Sequence, residues 1–232
     1  MPGPDRSSIR QRAALFMVAG AATAAAGAVL FFGIQPSTDV SEDLWRYPWE
    51  SSGAFVVFSL FSATLHAFVA VGLLAFGRSG AAGRSRAATA GVALAVAGTV
   101  LLVVGELASI PIRDAETSDA SAGFVGGAIF GFGGILSTLG FLLLGWATLR
   151  AGVWGGWRRY TPLATGLSLV AMSVVTAVSP TALHGMVGVY GLGLLAMATA
   201  LYTDPAPAVP SGAGEPPRSP GMAGASIGRD GR

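Results

Sequence analysis

Apolar runs of about twenty residues, set apart by short clusters of charge, constrain this chain more than any other feature. A hydrocarbon layer about 30 Å thick is crossed by roughly 20 residues of α-helix rising 1.5 Å each. Five runs of at least that length stand out, at residues 13–33, 54–77, 87–110, 124–149 and 161–202. The last is about twice the length of one crossing. Ser179-Pro180 lies near its middle, and a proline and the residue before it both disfavour helix continuation. The run therefore divides into 161–179 and 181–202, a tight helical hairpin. Six spans are expected.

Composition excludes the main rival, a water-exposed globule. Only 11% of the 232 residues are charged and 52% are hydrophobic, whereas a soluble domain carries about 25% charged residues. Mean hydropathy is +0.63. There is no cysteine, so disulfides and thiolate metal sites are excluded. All 14 basic residues are Arg, a choice that, with the abundant Ala and Gly, reflects a high-GC genome more than a function.

The Arg positions orient the spans. Arg6, Arg10 and Arg12 precede the first span; Arg78, Arg84 and Arg86 follow the second; Arg150, Arg158 and Arg159 follow the fourth; Arg218, Arg229 and Arg232 lie in the C-terminal tail. The alternate loops hold only Arg46 and Arg113. Positive charge is retained on the cytoplasmic side, so both termini are expected there. Asp39, Glu42, Asp43, Glu50, Asp114, Glu116 and Asp119 fall in the opposite loops. Trp45, Tyr47 and Trp49 outside, and Trp146, Trp154, Trp157 and Tyr160 inside, read as interfacial belts. A ligand-gripping aromatic cage at 45–49 is the sharper, less favoured reading.

The N-terminal run is too long for the 7–15-residue core of a cleaved signal peptide, and is read as a retained anchor forming the first span. Three regions result: a basic cytoplasmic segment 1–12, a transmembrane domain 13–202, and a tail 203–232. The tail is rich in Pro, Gly, Ala and Ser and is expected to be disordered and cytoplasmic.

Helices in lipid associate through close packing at small residues. Gly91, Gly98 and Gly105 recur every seven residues in the third span, and Gly123, Gly127 and Gly131 every four in the fourth; both stripes are expected to be helix-packing surfaces. Gly185, Gly188 and Gly191 recur every three in the sixth. Segments 65–71 and 183–189 share Leu, His and two Val, but a duplicated half would pair the second span with the fifth, so no repeat is assigned.

Ionisable groups at membrane depth are costly and mark sites. Three occur: His66, Glu106 and His184. His66 lies at the middle of its span, while Glu106 and His184 each lie roughly 10 Å from the centre toward the outer side. Three readings follow. Glu106 and His184 form a buried structural pair; or all three line a polar pathway for protons or a small solute; or the two His bind a metal or haem. The last is disfavoured because the two imidazoles differ in depth by about 10 Å and only one carboxylate is near. No metal or cofactor is expected.

Enzymatic signatures are missing: no His-Glu-x-x-His, nucleophile elbow, phosphate loop or dinucleotide fingerprint occurs in a workable context. Nucleic-acid binding is not suggested, since the Arg clusters are the orientation signal; those at 84–86 and 158–159 could attract anionic lipid headgroups. The segment LGFLLLGWATLRAGVW, residues 139–154, resembles a recurrent stretch of small polytopic membrane proteins of high-GC Gram-positive bacteria. The resemblance implies a plasma-membrane location, no activity and no functional residues. The expectation is an all-α bundle of six transmembrane helices, N-terminus and C-terminus cytoplasmic. It would be a non-enzymatic accessory or structural component whose partners are the lipid bilayer and another membrane protein or a second copy. The alternative is a small transporter or proton-coupled module using Glu106, His184 and His66.

Overall fold

A computed structural model describes residues 6–204. The expectations for 205–232, including Arg218, Arg229 and Arg232, lie outside the described residues. Among the described residues six helices are long and apolar enough to cross a membrane: α1 (Arg6–Ser37), α2 (Ser52–Ser79), α3 (Arg86–Ser109), α4 (Ala120–Ala151), α5 (Gly156–Val178) and α6 (Pro180–Tyr202). Among the described residues no strand occurs, only an isolated bridge between Leu44 and Glu116.

Local chemistry sets the ends. Ser51 and Ser85 accept from the amides of Ala54 and Ala88, each at 3.1 Å, satisfying amides that the first turns of α2 and α3 leave unpaired. Gly80 and Gly152 end α2 and α4 with φ of 79° and 63°, a left-handed conformation that glycine adopts without a Cβ clash. Between α5 and α6 the chain turns extended at Ser179 before Pro180 starts a short 3₁₀ turn. Several helices overrun the apolar runs because winding continues into the polar layers; α1 starts at Arg6 and α4 at Ala120. Two stretches widen to π-helix, Leu30–Ile34 in α1 and Phe124–Gly131 in α4.

The helices pack in chain order and the ring closes, with α6 lying along α1. That last contact is very tight. A Cβ on Gly20, Gly27 or Gly191 would strike backbone of the facing helix, at Leu195, Gly188 and Ala24 respectively. Gly91 and Gly98 likewise face α4, at Leu144 and Ser137, and Gly105 lies under the Phe130 ring. The fourth-span stripe needs correcting. Gly123 and Gly127 have nothing within 4 Å, and Gly131 meets only the carbonyl of Gly126 in its own helix. The face that carries these three glycines meets no neighbouring helix of the bundle, so their spacing does not mark a contact within it.

The half of the bundle nearest the termini is solid. Phe16, Leu73, Phe76, Phe141, Leu144 and Met197 are fully buried there. Trp154, expected in the interfacial belt, is also buried and stands edge-on to Phe76 with centroids 5.3 Å apart. Trp146 and Trp157 remain half-exposed, with Arg150 and Arg158 guanidinium groups over them at 4.7 and 5.8 Å. At the opposite end the ring loosens. The buried residues of α5 stop at Leu169, and Val174 and Val178 are exposed.

Candidate functional site

The loops 38–51 and 110–119 fold together as a cap over that looser end. The amides of Trp45 and Arg46 donate to the carbonyls of Ala115 and Arg113, and Thr117 donates to Asp43, at 2.7–3.0 Å. Arg46 ties the cap inward. Its Nε lies 3.2 Å from Asp114 Oδ1, and its Nη1 donates to the carbonyls of Trp49 and Glu50 at 2.7 and 2.6 Å. Asp114 also faces Arg113 at 3.4 Å and accepts from Ser52 at 2.8 Å. The three outer aromatics form neither a cage nor a free belt. Trp45 lies against Phe130, Tyr47 against the His184 ring and Trp49 against Phe58, with centroids 6.5, 6.4 and 4.8 Å apart. Each ring pins the cap to a different helix.

Beneath the cap the three ionisable residues separate. Glu106 was expected to pair with His184, but it faces His66, with Oε1 4.0 Å from Nδ1. The packing explains the correction: α3 lies between α2 and α4, whereas α6 lies between α5 and α1. The depth difference of about 10 Å estimated for His66 and Glu106 is closed by side-chain direction. Helical side chains lean toward their own N-terminus. In antiparallel neighbours that lean is opposite, so His66 reaches toward the cap and Glu106 away from it.

His184 belongs to a second cluster. Its Nδ1 lies 3.3 Å from Gln35 Oε1, and Gln35 Nε2 donates to the Thr181 carbonyl at 2.9 Å. With the amide of Gln35 spent as a donor, its oxygen must accept. That assigns the proton of neutral His184 to Nδ1, leaving Nε2 as the acceptor. Gln35 was not singled out from sequence, because an uncharged amide at the end of an apolar run carries no charge or periodicity signal.

The pair between α2 and α3 is incomplete. A separation of 4.0 Å is too long for a hydrogen bond, and His66 Nδ1 is a buried atom with no partner. Ser59 is 1% exposed and its hydroxyl also lacks a partner. It stands two turns from His66 on the same face of α2. Tyr190, in α6, is buried with an unpartnered hydroxyl too. A buried polar group without a partner costs about 1–3 kcal/mol, so these positions call for water or a small polar occupant. No group of three or more His, Asp or Glu able to hold a metal occurs among the described residues, and the two His lie in different clusters.

Comparison with protein-family models, with curated proteins and with solved structures gave no match.

Proposed function

We propose that this chain is a multi-pass integral protein of the plasma membrane, with both termini cytoplasmic, acting as a non-enzymatic accessory or structural component. Its partners are the lipid bilayer and a second membrane protein or second copy, met through helix faces and the cap. One observation carries the reading. The ionisable groups are divided between two separate contacts near the capped end, while the other half of the bundle is filled with apolar side chains and with threonines whose hydroxyls donate to nearby backbone carbonyls. A transporter would favour a shared polar route, and apolar filling works against one. The orientation is supported by charge. Among the described residues nine Arg lie at the end of the bundle that carries the termini, against Arg46 and Arg113 in the cap, the asymmetry that retains segments in the cytoplasm.

The absence of cysteine makes the test clean. Ser41→Cys should react with a membrane-impermeant thiol reagent on intact cells, and Gly155→Cys only after permeabilisation; the reverse pattern would overturn the orientation. Purified protein in vesicles should carry neither protons nor small solutes. A flux abolished by Glu106→Gln would replace this reading with the transporter.

A further inference from the structure

The seam between α2 and α3 carries a pattern that packing alone does not explain. On α2, Ser52, Ser59 and His66 recur every seven residues, followed at the same interval by Leu73. On α3, Thr99 and Glu106 stand at the same spacing, and Arg113 follows seven residues on, in the loop after the helix. Seven-residue spacing keeps side chains on one face of a helix crossing its neighbour at a shallow angle. The antiparallel stripes meet at both ends. Ser52 donates to Asp114, beside Arg113, at the cap, and His66 faces Glu106 below. Between them lies the unpartnered hydroxyl of Ser59, with the buried Ser109 donating to the Gly105 carbonyl at 2.9 Å and keeping its lone pairs free. Toward the termini the stripe ends at Leu73, which is fully buried among apolar neighbours.

We propose that this seam is a one-ended proton-binding site: water enters from the cap, passes Ser59, delivers one proton to the His66–Glu106 pair, and goes no further. Across the 4.0 Å gap to Oε1, the buried His66 Nδ1 is left without a partner, which a proton and a water supply together. A hydronium ion gives up one proton, which bonds to the imidazole nitrogen or the carboxylate oxygen, and departs as water; nothing is oxidised or reduced. The pair keeps 19% and 16% of its side-chain surface accessible, so it is screened but not sealed. Few charges compete with it. α1, on the other flank of α2, carries its Arg residues only at the termini end, and α4 carries only Arg150, also there. α6 brings Tyr190 and the His184 already bonded to Gln35. The cap supplies Arg46, Arg113 and Asp114 at the mouth. The inference goes beyond the accessory role and depends on which end of the bundle opens, not on which side of the membrane that end faces.

The chain has only two histidines, so the full-length protein labelled with ¹⁵N-histidine in lipid nanodiscs gives two ring spin systems, assigned with His184→Asn. The His66 ring signals should change as bulk pH is varied, through its own proton or through that of Glu106 beside it, and the infrared carboxyl stretch of Glu106 should report the latter. Glu106→Gln removes the infrared change and should move the His66 midpoint by roughly one pH unit or more, the effect of an opposite charge within about 4–6 Å. Ser59→Val should slow hydrogen–deuterium exchange of the pair several-fold without moving that midpoint. The His184 signals, unmoved by either variant, show that the fold is intact. A pair silent to pH, or a His66 midpoint indifferent to Glu106→Gln, overturns the site. Exchange unchanged by Ser59→Val overturns the route. Vesicles that dissipate a pH gradient faster with the protein than without it overturn the dead end.

Discussion

Two glycines show how sharply a missing side chain depends on where its helix puts it. A Cβ at Gly27 would press into the backbone of Gly188 and lie 2.8 Å from the His184 carbonyl. The obstruction is backbone, which no rotamer change can clear. Gly27→Ala should therefore force α1 and α6 apart and cost about 1–3 kcal/mol, the usual range for overpacking. A Cβ at Gly127 meets nothing within 4 Å, so Gly127→Ala should fall within about 1 kcal/mol of the native chain, on the stabilising side if helix propensity decides. Thermal unfolding of the two variants in one detergent makes the comparison. Equal losses would mean that the α1–α6 contact is looser than described. The sequence pointed the other way, favouring Gly127 for its four-residue spacing and passing over Gly20 and Gly27. Spacing records which residues share a face, but not whether that face meets another helix, and in Gly-rich apolar sequence many faces carry such a stripe.

At the scale of elements, the cap depends on one cation. Arg46 gathers two carbonyls of its own loop and the carboxylate of Asp114 from the other. Hydrogen bonds to a charged group contribute roughly 1.5–3 kcal/mol each where they are sheltered. Arg46→Ala should then raise amide exchange across 38–51 by at least an order of magnitude, read by hydrogen–deuterium exchange mass spectrometry. Asp114→Asn should change far less. Asp114 is more than half exposed, an ion pair so placed contributes about 0–1 kcal/mol, and the amide oxygen can still accept from Ser52. If the two variants loosen the cap equally, the ion pair rather than the carbonyl bonds holds it. The six long helices were legible because a twenty-residue apolar run has few other ways to satisfy its backbone. The cap was not. Its two halves lie some sixty residues apart and join through backbone pairing and single rings, which leave no periodic trace. The His66–Glu106 contact was within reach of the sequence. Both residues stand out as ionisable groups in apolar runs, and although their Cα positions differ in depth, the opposite lean of antiparallel side chains brings them together.

For the whole molecule the decisive contact is the one that closes the ring. Chain order alone makes α1 and α6 terminal, and an open row of six helices would place them far apart. Their seam, built on Gly20, Gly27, Gly188 and Gly191, instead makes them neighbours along much of their length. That enclosure gives the bundle an interior in which Phe16, Phe141 and Met197 are fully buried. It also separates Glu106 from His184, since α3 and α6 then occupy different parts of the ring. A Cβ placed at Gly188 lies 3.5 Å from the Ala28 backbone nitrogen, so residues 28 and 188 adjoin across this seam. In a chain with no native thiol, Ala28→Cys combined with Gly188→Cys should oxidise to an intramolecular disulfide and migrate faster on a non-reducing gel. Ala28→Cys combined with Val174→Cys, on the exposed side of α5, should stay reduced under the same oxidant. A disulfide that forms only between chains would replace the closed ring with an exchange of helices between two copies. Failure of the first pair to oxidise at all would open the ring, and with it the separation of the two polar clusters.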